Sequence, residues 1–483
     1  YTSAIGPNGQ LLPCAVPLPS WDCVNGACID PQTGLGQYSS LSACQTTCGV
    51  TPFVSTTPEN KNVILENFSG GINNVYAPDG DLIAQTLADN NPGNIFIITI
   101  HQGGYATPQG PGTDFNTSFG AAIAGQTNLA GYPAGTVNRH EFSGLQQSGS
   151  GTAMSRGSWG SASVQSLSQP SPVNIGVQAN VDMATNTLTV DIEIYYTGTQ
   201  TVTTNKLNIA VVQNNIEGPQ SGMSFNPTSI LPNGSYNHNH MLRHMLTGQW
   251  GDIISNITTG TLYSNTYTWT MPAVINGVIL DPTNISIVAF VSEGNQEILS
   301  GTEDYPSLVF VNSYDANLIS ASATDIMCTT TTDLTVDFKN YGSANLTSLD
   351  IEYSVNGGSS TTYPWNGNLN PGASETIVIP NISVNNPSLT NTLDVSLVSP
   401  NGQTDQNLSN NDIQCTFNGM YDAPVGQVSI DVTTDTYGSE ITWQLKENGT
   451  VIASGGPWSD GSIIVAPTAY ATISSGNCYL FTI

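Results

Sequence analysis

Apolar and polar positions recur with different periods along this chain, and each change of period marks an element. Asn62–Phe68 alternates into a strand, and Asp79–Asp89 carries Leu82, Ile83, Thr86 and Leu87 at the spacing of one helical face. Pro78 stands near the start of that helix, where a missing N–H is tolerated. Ile95–Ile100 is an unbroken apolar run, the mark of a strand buried on both faces of a parallel sheet. A second helix is predicted over Asp114–Ala124, and Gly131–Arg139 turns back into a strand. From Gly144 to about Ser171 the chain is rich in Gly, Ser and Gln and reads as a linker.

Beyond it, strands recur at short spacing over Val173–Val181, Thr187–Thr197, Lys206–Gln213, Leu262–Met271 and Asn284–Ser292, punctuated by Asn, Gly and Pro. That is the pattern of an antiparallel sandwich. Leu188–Tyr195 is a period-two strand with one polar face. A further strand-rich stretch spans about Leu308–Asn418, and another set starts at Gly426 with Val428–Val432, Ser439–Leu445 and Val451–Ser454. The last residues, Cys478–Ile483, read as the middle of a strand, so either the sequence is truncated or another chain completes it.

Composition narrows the function classes. Only 9% of the 483 residues are charged, against about 25% in an average soluble protein. Seven Lys and Arg face 35 Asp and Glu, for a formal net charge of -28. Such a field repels phosphate backbones and anionic lipid, which argues against nucleic acid as a partner. No run reaches the ~18–20 apolar residues of a membrane-spanning helix, so no membrane insertion is expected. The surface is built from Asn, Thr, Ser, Gln and Gly and offers trypsin-like proteases few sites, which suits a secreted or cell-surface protein. The chain opens at Tyr1 without a charged-then-apolar leader and reads as a mature form.

Eight cysteines fall in two regions: Cys14, Cys23, Cys28, Cys44 and Cys48, then the isolated Cys328, Cys415 and Cys478. Cys23-x4-Cys28 with Cys44-x3-Cys48 is a loose zinc spacing. Disulfides among Cys23, Cys28, Cys44 and Cys48 are the better reading, because a segment this short needs staples. Cys328 and Cys415 bracket one strand-rich domain and are expected to pair. Cys14 and Cys478 find no obvious partner, and either one left unpaired would be able to cross-link neighbouring copies.

Several segments resemble known families. Trp21–Pro31, Gly34–Leu41 and Cys44–Cys48 are similar to small cysteine modules of large secreted Bacteroidota proteins, which implies an extracellular setting. The order strand, helix, strand, helix, Gly-Tyr-Pro-strand from Asn62 to Arg139 is that of a thioredoxin-like fold. Val63–Gly70, Gly131–Arg139 and Tyr236–Arg243 together resemble the Omp28-related family over roughly residues 58–310. The resemblance implies a thioredoxin-like domain followed by a β-rich domain in a surface or secreted protein. Redox-active relatives carry Cys-x-x-Cys where this chain has Asn73 and Tyr76, and neither residue forms a thiolate. Pro133 matches the cis-proline facing the redox site, so these three are degenerate redox positions and the domain is expected to be redox-inactive. Leu334–Gly342, Leu349–Val355, Trp365–Gly372 and Leu393–Val398 resemble the CARDB type of Ig-like adhesion domain.

Few residues propose chemistry. His238, His240 and His244 stand within seven residues in a chain with five histidines, and neutral imidazoles there are candidate zinc or copper ligands. Their place in the Omp28-like stretch, beside Arg243, makes a structural hydrogen-bond cluster the stronger reading. Asp405–Asp412, with carboxylates at both ends, offers oxygens for calcium, a second candidate metal. Asp79-Gly-Asp81 offers a second oxygen pair. Glu66 and His101, at strand ends, are expected to serve structure. Gly149–Ala153 does not complete a nucleophile elbow.

The fold class expected is multidomain and mainly β. It comprises a cysteine-rich module (1–57), a redox-inactive thioredoxin-like α/β domain (58–143), a β-sandwich (144–307), an Ig-like or CARDB-like sandwich (308–420) and a partial β domain (421–483). The function expected is that of a non-enzymatic secreted or cell-surface protein, an adhesin or fibre subunit self-associating through strand edges. The alternatives are a carbohydrate- or protein-binding module exposing Trp21, Trp159, Trp250 or Trp458, and a metal-dependent enzyme at the histidine cluster.

Overall fold

The structure, a computed structural model, describes residues 19–24, 27–31, 33–48, 52–326, 330–384, 390–419 and 425–483. It divides into two compact units, Tyr1–Val309 and Phe310–Ile483. Cys14 and Cys328 lie outside the described residues.

The first unit runs through β1 (Asp22–Val24), β2 (Ala27–Ile29), α1 (Leu41–Cys48), β3 (Val63–Phe68), α2 (Ala77–Asn90), β4 (Ile95–Ile100), α3 (Gly120–Gly125), β5 (Ala134–Val137), β6 (Met154–Ser155), α4 (Trp159–Leu167), β7 (Val173–Asp182), β8 (Thr187–Tyr196), β9 (Asn205–Gln213), β10 (Ile216–Gly218), β11 (Tyr236–His238), β12 (Met241–Met245), β13 (Asp252–Ile254), β14 (Leu262–Thr270), β15 (Val274–Ile275), β16 (Val278–Ile279), β17 (Ile285–Ser292), β18 (Ile298–Asp304) and β19 (Ser307–Val309).

Its main sheet has the order β18-β17-β9-β12-β4-β3-β5-β6, with β13 added on β9. β4 is parallel to both β3 and β12, and the other pairs are antiparallel. β3 and β4 are buried along their whole length. One face packs Ile64, Ile98, Val212, Leu242 and Phe290 together with Ile123 of α3. The other packs Val63, Leu65, Ile95, Ile97 and Val137 against α2 and α4. Burial on both faces is why these runs show no alternation.

The boundary expected at 143/144 does not separate two sheets. The segment read as a linker holds β6 and α4, and Trp159 at the start of α4 is fully buried. The sandwich strands β9, β12, β17 and β18 continue the sheet that β3–β6 begin. β12 is the seam: Met241 pairs with Thr99 of β4 on one side and Gln213 of β9 on the other. The predicted strand at 284–292 is thus part of an α/β sheet, while β14-β8-β7-β19 form a separate four-stranded layer. Leu188, Val190, Ile192 and Ile194 of β8 are buried at every second position, as a sheet with one core face requires.

The cysteine module docks on the outer face of that layer through Glu193. This buried carboxylate accepts from Gln45 Nε2 at 3.1 Å and from the backbone N–H groups of Phe53 and Val54 at 2.7 and 3.1 Å.

The second unit contains β20 (Ala316–Ala323), β21 (Thr331–Asn340), β22 (Leu346–Val355), β23 (Thr361–Leu369), β24 (Ser374–Ser383), β25 (Thr390–Val398), β26 (Asp412–Asn418), β27 (Gly426–Ile430), β28 (Trp443–Glu447), β29 (Thr450–Gly455), β30 (Ala469–Ile473) and β31 (Tyr479–Thr482). β20-β21-β24 face β23-β22-β25-β26 across a core of Val336, Phe338, Ile351, Trp365, Val395 and Leu397, an Ig-like sandwich. The remaining strands form two small sheets, β27-β30 and β29-β28-β31.

Inside the main sheet, Glu66 of β3 and Arg139 after β5 form an ion pair at 2.6 Å, each side chain 1% exposed. Thr136 Oγ1 donates to the same carboxylate, and Arg139 Nη1 donates to the carbonyl of Asn295 in the β17–β18 turn. The guanidinium also lies 5.2 Å over the Phe290 ring. The pairing needs β5 close to β3: a Cβ on Gly135 would stand 2.6 Å from the Glu66 carbonyl and 2.9 Å from the Trp159 ring. Arg139→Met strands a buried carboxylate and is expected to cost about 3–5 kcal/mol in urea unfolding, most of it recovered when Glu66→Met is added. A single-variant cost below about 1 kcal/mol would show that the pair does not hold the sheet.

Candidate functional site

Asn73 and Tyr76, expected from the sequence to be degenerate redox positions, lie just before α2. Asn73 donates from Nδ2 to the Thr107 carbonyl at 3.0 Å and accepts from Gln109. Tyr76 immediately precedes the helix, its ring 5.5 Å from Phe225 and under the Arg156 guanidinium, which pairs with Asp79. Tyr132–Pro133 is a cis peptide, and Pro133 is buried beside α2 at Gly80. An amide and a phenol stand at the two positions that the sequence matches to a dithiol, and neither side chain carries sulfur.

The three histidines of the 236–244 stretch diverge. His238 faces a buried cage in which its ring lies 4.8 Å from Phe115, 4.9 Å from Tyr236 and 5.4 Å from His101. His240 adopts a left-handed conformation (φ 53) and turns its Nε2 to Gln85 Oε1 of α2 at 2.8 Å. His244 stacks on Trp269 at 4.2 Å. Among the described residues the three do not form a metal-ligand group. The physical reason is the backbone: the left-handed turn at His240 and a bulge between Leu242 and His244 aim the rings in three directions. Arg243 inside that bulge donates to the carbonyls of Ile275 and Val278, which anchors the β15–β16 hairpin. His101, expected to serve structure at a strand end, is buried there, and its Nδ1 has no hydrogen-bond partner among the described residues. Burial lowers its pKa well below the usual value, with the His238 and Arg243 charges adding to the effect.

What the fold does assemble is a small polar pocket of about 80 Å³ between α2 and the 226–240 segment. Asp81 of α2 accepts from Asn67 Nδ2 of β3 at 2.8 Å and from the Tyr236 hydroxyl at 3.1 Å. Asn226 donates to the same hydroxyl at 3.0 Å, and Gln85 and His240 close another wall. Desolvation raises the Asp81 pKa to about 6 against hydrogen bonds that lower it; it lowers His240 and His238 to about 4. The set holds polar groups but no nucleophile with a base beside it, so it suits water or a small polar ligand better than catalysis. Asp81 stood out in the sequence only as half of Asp79-Gly-Asp81, and Tyr236, 155 residues away, carried no signal of pairing with it.

The remaining candidates resolve individually. Cys23–Cys48 and Cys28–Cys44 are disulfides, so the clustered sulfurs of Cys28, Cys44 and Cys48 are not free ligands. The expected Cys328–Cys415 bridge is not formed: Cys415 is a free, half-buried thiol whose side chain packs on the sandwich core. Cys478 is disulfide-bonded, which removes it as a cross-linker between copies. Asp405 is buried and accepts from backbone N–H groups, whereas Asp412 is exposed and accepts from Ser396, so the two do not share one site. Trp159 is buried, not exposed, and Trp21, Trp250 and Trp458 are half-buried.

The raised Asp81 pKa has a signed consequence. The native state holds this proton more tightly than the unfolded chain, so its contribution is fully present below pH 3.8 and is lost as pH climbs through about 6. Asp81→Asn should therefore gain in thermal midpoint over the unmodified protein between pH 4 and 6.5 and hold that gain above it. A midpoint difference that stays flat across this range would contradict a buried, proton-retaining Asp81.

Residues 121–303 match the family model described as Outer membrane protein Omp28. No curated protein matches the chain. Among solved structures, HBP35 of Porphyromonas gingivalis aligns at 14% identity and a TM-score of 0.42, covering 75% of this chain and 99% of that one. A domain of the outer membrane lipoprotein Omp28 from the same organism aligns at 16% identity and a TM-score of 0.19, covering 29% and 90%. A CARDB domain from Pyrococcus furiosus aligns at 16% identity and a TM-score of 0.19, covering 23% and 97%. From α3 to β18, over residues 121–303, this chain is similar to the Omp28 family.

Proposed function

We propose that this protein is a non-enzymatic component of the bacterial cell surface that self-associates through β-strand edges, as an adhesin or fibre subunit. The match of residues 121–303 to the Outer membrane protein Omp28 family supports an envelope or cell-surface location. No described helix is long and apolar enough to cross a membrane. The strand order β4-β3-β5-β6 followed by α4 supports a thioredoxin-like origin for the α/β part, and Asn73 and Tyr76 in place of a dithiol support a scaffold role for it.

Charge supports the same reading. Lys61, Arg139 and Arg156 are in ion pairs, Arg243 is buried against carbonyls, Lys339 is buried, Lys206 bonds Asn295, and Lys446 is half-buried on β28, seven cations against 35 acids. The field outside is therefore set by carboxylates, which disfavours nucleic acid and anionic lipid as partners.

The observation that carries assembly is the apolar surface of 425–483. Its core holds Val432, Trp443 and Leu445, while Ile463, Val465, Tyr470, Phe481 and Leu480 are exposed. Among the described residues β31 pairs with β28 alone, so its outer backbone groups form an open edge, a template for another strand. We assign this edge to a second copy of this chain, because an adjacent apolar face and open edge recruit a strand by main-chain hydrogen bonds plus side-chain burial. Sedimentation velocity of the full chain across a concentration series tests this. The unmodified protein should associate, and Leu480→Lys, a charge placed on the edge strand, should shift it to monomer without lowering its thermal midpoint. A chain that stays monomeric at all concentrations would refute edge assembly and favour a ligand-binding module.

A further inference from the structure

We propose that the Ig-like sandwich carries a calcium site formed by the carboxylates of Asp315 and Asp405 and the side-chain carbonyls of Asn410 and Asn411. This differs from the sequence expectation, which paired Asp405 with Asp412.

The argument starts from charge. Asp315, just before β20, is 1% exposed, and Asp405, in the loop leading to β26, is 5% exposed. Asp315 accepts from Asn312 Nδ2 at 2.8 Å and Asn410 Nδ2 at 3.0 Å. Asp405 accepts from the backbone N–H groups of Ala316 at 2.9 Å and Asn407 at 2.8 Å. These four donors are neutral, and no Lys or Arg among the described residues pairs with either acid. Burial, opposed by those N–H bonds, pushes the Asp405 pKa up, and the neighbouring Asp315 charge pushes the same way. Buried carboxylates without a cation are costly, and nature resolves them by pairing, by protonation or by a metal.

A second observation points to the metal. Asn410 and Asn411 hold their amide nitrogens on Asp315 and on the Leu397 carbonyl, and the Asn411 side chain also contacts Asp405. The side-chain oxygens of both asparagines are buried without any hydrogen-bond partner, and Asn411 is 3% exposed. The amide nitrogens face the acids, and a proton on one carboxylate leaves both orphaned amide oxygens unsatisfied. Turned over about their terminal bonds, the two amides would present these oxygens to the acids, and one cation would then satisfy all four groups. The donor set is oxygen only, which selects a hard ion, and its mix of carboxylate and carbonyl donors on a loop suits calcium, with waters completing six to eight ligands. Bound there, calcium would tie the start of β20 in one sheet to the loop entering β26 in the other.

The test uses terbium luminescence on the full chain, sensitised by Tyr314 next to Asp315, with calcium as competitor. One saturable terbium site displaced by calcium is expected, together with a calcium-dependent rise in thermal midpoint. Asp315→Asn and Asp405→Asn should each weaken binding about tenfold or more, while Asp412→Asn leaves it unchanged. No saturable signal in the unmodified protein, or unchanged affinity in both Asp315→Asn and Asp405→Asn, overturns the proposal. Should those variants lose their near-ultraviolet circular dichroism, Asn411→Asp decides: a third carboxylate should tighten binding, and unchanged or weaker affinity overturns the site.

Discussion

The buried pair of Glu66 and Arg139 is the constraint around which the first unit is organised. A carboxylate in the middle of an apolar strand is tolerable only with a cation delivered to it, and Arg139 arrives at the end of β5 with its other nitrogen already committed to the Asn295 carbonyl. One guanidinium thereby fixes β3, β5 and the β17–β18 turn relative to one another. The neighbouring Asn138 reinforces the same junction: its side chain accepts from the Ile64 N–H at 2.7 Å and its carbonyl accepts from the Ile298 N–H at 2.8 Å. The α/β part and the following β strands are one structural body because of these contacts and the seam at β12.

The stretch from Tyr236 to Arg243 takes its meaning from that seam. His240 gives its carbonyl to the Thr99 N–H at 2.7 Å and its N–H to Asn214, so it stitches β12 between β4 and β9. Each ring then packs where the strand leaves it: His238 in the Phe115 cage, His240 on α2, His244 on Trp269. The concentration of imidazoles that invites a metal reading is therefore a set of three separate packing solutions. Arg243 works in the same register, holding a hairpin by its carbonyls instead of holding an anion.

Much of this was legible in the residues. Ile95–Ile100 forms the strand its unbroken run implied, α2 covers the predicted helix, and β7, β8, β9, β14 and β17 each begin and end within a residue or so of their expected bounds. What was not legible is long-range. Nothing local in Gly144–Ser171 predicts α4, a helix of small and polar residues held by one buried tryptophan, Trp159. The pairing of β12 with β4 joins segments far apart in the chain, so the expected domain boundary at 143 fell inside a sheet. The Asp81 pocket was hidden for the same reason, since its acid and its tyrosine meet only in three dimensions. Asp315 was invisible as a partner for Asp405 because the closing of the sandwich, not any spacing, brings their loops together; Gln406 spans the two by accepting from the Ser313 and Tyr314 N–H groups.

The way the first unit closes has a mechanical side. β19 lies parallel to β7 through Ser307–Asn180, Leu308–Val181 and Val309–Asp182. Tension drawn along the chain past Val309 pulls β19 along its own axis and so loads those hydrogen bonds together in shear, where peeling would break them one at a time. This short strand is thus a clamp placed just before the load would reach β18, the edge strand of the main sheet.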